Sequence, residues 1–218
     1  MPTELLTKDR PPRSQGVPGE TVPPPGWSGD GSGGPWPRPA SAADPGLFAV
    51  GATLASVTML FIAFTTAYLA RQQETSWPAI ALPPVLWANT AVLLLSSGVL
   101  EWGRWALRRG QADHLQRALR ATAVLGGLFV VGQLAAWKQL AAQGIYLATN
   151  PHSAFFYLMT GVHGLHLLGG LVALAVVLVR AARGRYTPEA HGGLTAFALY
   201  WHFLDVLWVY LFVLLSWL

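Results

Sequence analysis

The sequence contains no cysteine among its 218 residues. That absence removes disulfide staples, iron–sulfur ligation and thiol catalysis together. Charge is scarce too: 11% of residues are Asp, Glu, Lys or Arg, against about 25% in soluble domains. No phosphate-cradling glycine loop, no serine nucleophile with an attendant base and no haem-attaching Cys-x-x-Cys-His occurs. The strict alternation of a membrane β-barrel strand is missing as well. The formal charge of +4 does not describe a nucleic-acid surface, because the basic residues fall between apolar runs and not in one patch.

What is present is apolar. Hydrophobic residues make up 53% of the chain, in runs as long as a bilayer crossing requires, roughly 17 to 25 residues. Five spans are expected, at about 47–70, 84–107, 119–137, 154–179 and 194–218. The reading is an all-α, polytopic membrane protein, with a bundle of five transmembrane helices over 47–218. Before it, residues 1–46 form a separate segment. Up to residue 45 that segment holds 11 of the 16 prolines and seven glycines, so an extended or disordered tail is expected. Trp27 and Trp36 are its isolated aromatics. In the first span the polar content is Ser and Thr, whose hydroxyls can bond to their own helix backbone.

Positive charge is lopsided. The tail carries four Lys or Arg, the link between spans two and three five, and the link between spans four and five three; the opposite side has Arg71 and Lys138. Lysine and arginine bias sets orientation, which places the N-terminus in the cytoplasm and the C-terminus outside. Trp77, Trp87, Trp137 and Trp217 then fall near the outer interface, and Trp102 and Trp105 near the inner one.

Two spans carry polar groups at mid-length. His163 and His166 stand three apart on the fourth, and His202 and Asp205 three apart on the fifth, so each pair shares a helix face. Counting residues from the span ends brings Asp205 level with the fourth-span histidines. A hydrogen bond from His163 or His166 to Asp205 is the contact this suggests. Ionisable groups at such depth are costly unless paired or facing protein, lipid or water. Such ligands suit zinc or iron, but a di-iron bundle wants Glu-x-x-His pairs on several helices. A hydrogen-bonded cluster that fixes packing or faces lipid is the plainer reading. For a proton path the visible groups are sparse: Asn89 and Gln133 towards the outside, Glu101 towards the cytoplasm. Glu101 has Arg104 at i+3, the spacing of an interfacial ion pair, and could instead collect protons or grip a partner. Thr160-Gly161, Gly164, Gly169-Gly170 and Ser96-Ser97-Gly98 are small-residue notches where a helix or lipid chain could approach. Trp201, Asp205 and Trp208 share one side of the fifth span.

At these residues the chain resembles a known family. FFYLMTGVHGLHLLGG (155–170) and YWHFLDVLWVYLFVLLSW (200–217) are similar to subunit III of the haem-copper respiratory oxidases. ANTAVLLLSSGVLEW (88–102) and LGGLFVVGQLAAW (125–137) resemble its Asn-Thr…Ser-Ser segment and the helix that follows. The likeness covers 84–218, is strongest in the last two spans and is weak in the first. It implies the five-helix form of that subunit, with no haem or copper of its own. Those cofactors would sit in the partners: subunit I, which this chain would contact directly, and subunit II, with structural phospholipid in a helix cleft. It also implies help in preserving subunit I through turnover, and support of proton uptake from the cytoplasmic side of a bacterial inner membrane. His163, Gly164 and His166 match the family's Thr-Gly-x-His-Gly-x-His motif. Trp201, His202, Phe203, Asp205 and Trp208 match its Trp-His-Phe-x-Asp-x-x-Trp motif, and Asn89 and Thr90 its Asn-Thr pair. Three glutamates of many mitochondrial-type members are replaced here by Pro84, Ala136 and Thr195. A quinol oxidase or a nitric-oxide-reductase-associated relative fits the same motifs. An independent proton or ion transporter is the rival of another class.

Overall fold

The computed structural model describes residues 45–74 and 82–217. The tail with Trp27 and Trp36, Trp77 in the first connection and the side chain of Trp217 lie outside the described residues. Among the described residues there are five helices and no strand: α1 (Pro45–Glu74), α2 (Val85–Arg108), α3 (Ala112–Ala142), α4 (Pro151–Ala182) and α5 (Gly192–Trp217). Each is long and apolar enough to cross a membrane. The shortest, α2 with 24 residues, runs about 36 Å, more than a hydrocarbon layer of about 30 Å.

Inside lipid a backbone must satisfy its own polar groups, and a helix does so within one segment. The same requirement extends to side-chain hydroxyls. On α1, Thr53, Ser56, Thr58, Thr65 and Thr66 each donate to the carbonyl four residues back, at 2.7–3.0 Å. The helix stops are local too. Gly110, Gly144 and Gly184 follow α2, α3 and α4 with φ of +77°, +76° and +66°, a conformation costly for any residue with a Cβ. In each case the next N–H bonds five residues back: Gln111 to Ala106, Ile145 to Leu140, Arg185 to Arg180. This doubled closure consumes carbonyls that a helix end otherwise leaves open. The start of α4 is equally explicit. Asn150 Oδ1 accepts from the Ser153 N–H at 2.7 Å, Ser153 Oγ accepts from the Asn150 N–H at 3.1 Å, and Pro151 opens the first turn.

The helices extend past the apolar spans, most of all α3. It begins seven residues before the expected 119 and ends five after 137. Hydropathy marks the lipid-soluble part of a helix, whereas ADHLQRA and KQLAA continue the hydrogen-bond ladder beyond it.

Hydrogen-bonded pairs fix the topology. Glu101–His202, Ser97–Asp205 and Thr90–Trp208 run down α2 as they run up α5, so these two helices are antiparallel. Gln116–Ala181 and Trp137–Thr160 make α3 and α4 antiparallel. The most extensive contact joins α2 to α3, whose backbones approach closely at Gly103. At the other extreme α1 touches α4 and α5, and among its described side chains only Val57, Phe61 and Tyr68 are buried. The core centres on α5, where Trp201, Leu204, Trp208 and Leu211 have essentially no exposed surface.

Candidate functional site

Four side chains of α5 meet a ladder of small polar residues on α2. Trp201 Nε1–H donates to Ser96 Oγ at 3.0 Å, and Trp208 Nε1–H donates to Thr90 Oγ1 at 3.0 Å. Ser96 and Thr90 can accept because their own protons go to the carbonyls of Leu93 and Leu86. Between these indoles lie the two ionisable residues of the fifth-span motif. Ser97 Oγ is bonded to Asp205 Oδ2 and stands 2.7 Å from His202 Nδ1. The other imidazole nitrogen, Nε2, is 2.7 Å from Glu101 Oε1, and the same Glu101 oxygen accepts from Arg104. The result is a continuous chain, Glu101–His202–Ser97–Asp205, bridging α2 and α5. Its Glu101 end is 42% exposed, whereas Asp205 is 3% exposed and its second oxygen, Oδ1, has no hydrogen-bond partner.

The expected bond between Asp205 and His163 or His166 does not form. His163 is fully buried against Phe129 and Trp208, at ring-centroid distances of 6.1 and 5.2 Å, and both its nitrogens lack a hydrogen-bond partner. His166 uses Nδ1 on the Val162 carbonyl of its own helix at 2.8 Å, and its ring meets Phe61 edge-on. Equal height along two helices does not imply a shared face. Asp205 points to α2, while His163 packs between Phe129 of α3 and Trp208 of α5. The motif residues therefore divide into an ionisable group on α2 and α5 and two separate histidines on α4.

Asn89 has a different task. Its Nδ2 donates to the Phe129 carbonyl on α3 at 3.0 Å. A Cβ on Gly132 would lie 2.1 Å from Asn89 Oδ1, so the missing side chain makes room for the amide. Replacing Asn89 with alanine should cost roughly 0.6 kcal/mol, the average for such interhelical bonds in membranes. Thermal unfolding in detergent measures this, and no loss would mean the bond is replaced by water or lipid.

Sequence reasoning missed two partners. Ser97 was visible only as part of a notch, and Glu101 as the partner of Arg104 or a carboxylate that collects protons or grips a partner, not as the partner of His202. The signal for both was spacing: Ser97 and Glu101 are i and i+4 on α2, facing His202 and Asp205 at i and i+3 on α5. The glycine notches are realised unevenly. Gly170 lies against Tyr200, Trp201 and Leu204, and Gly161 against Trp137, whereas Gly98 and Gly164 face open space.

Beside the ladder, Leu94, Ser97, His202, Asp205, Val206 and Val209 line a groove of about 250 Å³. Among the described residues, no group of three or more His, Asp or Glu is arranged to hold a metal ion. The arrangement can move or store protons and can lock two helices together.

Comparison with known proteins adds the family. A model of the cytochrome c oxidase subunit III family matches residues 46–218, including the first span, where the resemblance by motif is weak. The chain is 36% identical over 177 residues to cytochrome c oxidase subunit 3 of a Synechocystis strain, covering 77% of this chain and 73% of that protein. It is 32% identical over 171 residues to a probable cytochrome c oxidase subunit 3 of Mycobacterium bovis, covering 74% and 82%. With cytochrome c oxidase subunit 3 of Mus musculus it shares 35% identity over 149 residues, 65% of this chain and 55% of that one.

Proposed function

This chain belongs to the cytochrome c oxidase subunit III family, and from that membership we propose that it is the non-redox accessory subunit of an aerobic cytochrome c oxidase. It packs on subunit I, with subunit II in the same complex, and the reduction of oxygen to water takes place in those partners. The observation that carries this reading is the family match across all five helices. The names of the relatives support cytochrome c over a quinol as the electron donor. The setting is a bacterial inner membrane, with the N-terminus in the cytoplasm as the charge bias requires.

Two structural features support the accessory role. One is apolar clefts suited to acyl chains, such as the groove of about 360 Å³ between α1 and α5 lined by Phe61, Ile62, Phe203 and Tyr210. The other is the ionisable chain from half-exposed Glu101 to buried Asp205, which supports a part in proton uptake. His163, His166, Trp201, His202, Asp205, Trp208 and Asn89 hold the helices that present these surfaces.

Isolation of the native complex through a tag on this chain tests the reading. A haem spectrum in the purified material is the expected result, and a haem-free preparation would sink it. In that complex, Asp205→Asn and His166→Ala should each weaken retention of the tagged chain or shorten the number of turnovers before inactivation. Normal retention and durability in both would remove these residues from the proposed role.

A further inference from the structure

We propose that Glu101, His202, Ser97 and Asp205 form a one-proton relay that carries a proton from the half-exposed end of the α2–α5 seam to a buried carboxylate in the adjoining groove. The inference rests on the proposed role in proton uptake and gives that role a route through this chain.

The argument begins with donors and acceptors. A serine hydroxyl has one proton and two lone pairs, and an imidazole can donate or accept at each nitrogen according to its tautomer. The bonds Glu101–His202, His202–Ser97 and Ser97–Asp205 are contiguous, so every junction has one group on each side. Two assignments of the same protons satisfy all three junctions. In the first, protonated Glu101 donates to bare Nε2 of His202, Nδ1–H donates to Ser97, and Ser97 donates to the Asp205 carboxylate. In the second, every bond points the other way. Asp205 is then the acid, Ser97 donates to bare Nδ1, and Nε2–H donates to the Glu101 carboxylate.

Passage between them is balanced. The Glu101 O–H bond breaks as Nε2–H forms, Nδ1–H breaks as a new O–H forms on Ser97, and the original Ser97 O–H breaks as Oδ2–H forms on Asp205. Three protons shift by one bond each, and one positive charge moves the length of the chain. The proton on Glu101 comes from water at the exposed end. The hydroxyl and the imidazole must reset before a second passage.

Position supports the direction. Glu101 lies seven residues from the last residue of α2, and Asp205 lies thirteen residues beyond the first of α5. Because the helices are antiparallel, these counts run from the same end of the bundle, about 10 Å and about 20 Å deep. Asp205 lines the groove with Ser97 and His202, and its Oδ1 is unpartnered, which leaves it a site from which to pass the proton on. Among the described residues the charged group bonded to this chain from outside is Arg104, at the Glu101 end.

The test uses the full chain in lipid nanodiscs. A light-triggered proton release should raise the carbonyl band of a protonated carboxylic acid, assigned to Asp205 by its loss in Asp205→Asn. Ser97→Ala removes the central hydroxyl and no charge, and should slow the rise on the order of a hundredfold. Ser97→Thr retains a hydroxyl and should restore the rate. Glu101→Gln, at the exposed end, should be slow as well and guards against misfolding of the alanine variant. An Asp205 band that rises as fast in Ser97→Ala and Glu101→Gln as in the native chain overturns the relay. So does the absence of any Asp205 band on acidification, or a failure of Ser97→Thr to restore the rate in a normally helical protein. A haem-free complex would defeat the subunit reading and leave this result standing, so the two failures are distinguishable.

Discussion

Replacing Trp201 with alanine should lower the stability of the bundle by about 3 to 5 kcal/mol, the range for deleting a buried Trp side chain. The indole has no exposed surface. It sits where α5 meets three other helices: its Nε1–H reaches Ser96 on α2, and its ring abuts Gly126 on α3 and Gly170 on α4. In lipid there is little hydrophobic gain from helix association, so dispersion contacts of this kind carry the packing. Their loss leaves a cavity that four separate backbones cannot close. Trp201→Phe keeps most of the ring and forfeits one hydrogen bond, for a smaller cost of about 1 kcal/mol. Thermal unfolding in a mild detergent separates the two variants. Equal melting temperatures for native and alanine forms would remove Trp201 from the centre of the fold.

Gly103→Ala should destabilise by about 1 to 3 kcal/mol, the usual range for overpacking. The added Cβ would lie 2.5 Å from the Cβ of Ala118. Neither atom is the free end of a flexible side chain, so the strain must move backbone. It falls on α2 and α3, the pair with the broadest contact. Ala118→Gly in the same chain removes the colliding atom, and the double variant should regain most of the loss. That recovery is a coupling between two neighbours, which a double-mutant cycle measures directly. A mild single variant would mean that the helices separate without resistance, and no recovery in the double would mean that the loss does not come from the contact with Ala118.

Hydropathy revealed the five helices because a bilayer needs about 20 apolar residues per crossing, a long and insistent signal. It could not reveal where α3 ends, since residues 112–118 and 138–142 stay helical after the apolar pattern stops. The capping box at Asn150 and Ser153 was readable in principle from its spacing. The candidate site was legible one helix at a time. Repeats of three placed His163 with His166 and His202 with Asp205, and i,i+3 spacing paired Glu101 with Arg104. The rotation of one helix against another was not encoded in any such interval. Residue counting therefore set Asp205 opposite the α4 histidines, when its partner is Ser97 on α2. Ser97 itself carried too little chemistry to stand out, because a hydroxyl next to Ser96 and Gly98 looks like room for a neighbour.

The light attachment of α1 has a consequence for how this protein changes over generations. Only Val57, Phe61 and Tyr68 among its described side chains are buried. Packing within the bundle constrains the remaining positions least. Substitutions should accumulate there more readily than at Ser97 and the indoles of α5, where only conservative changes such as Ser97→Thr keep the contacts. In so divergent a family, ancestry would be traced through the seam, with the first helix among the earliest parts to lose its likeness.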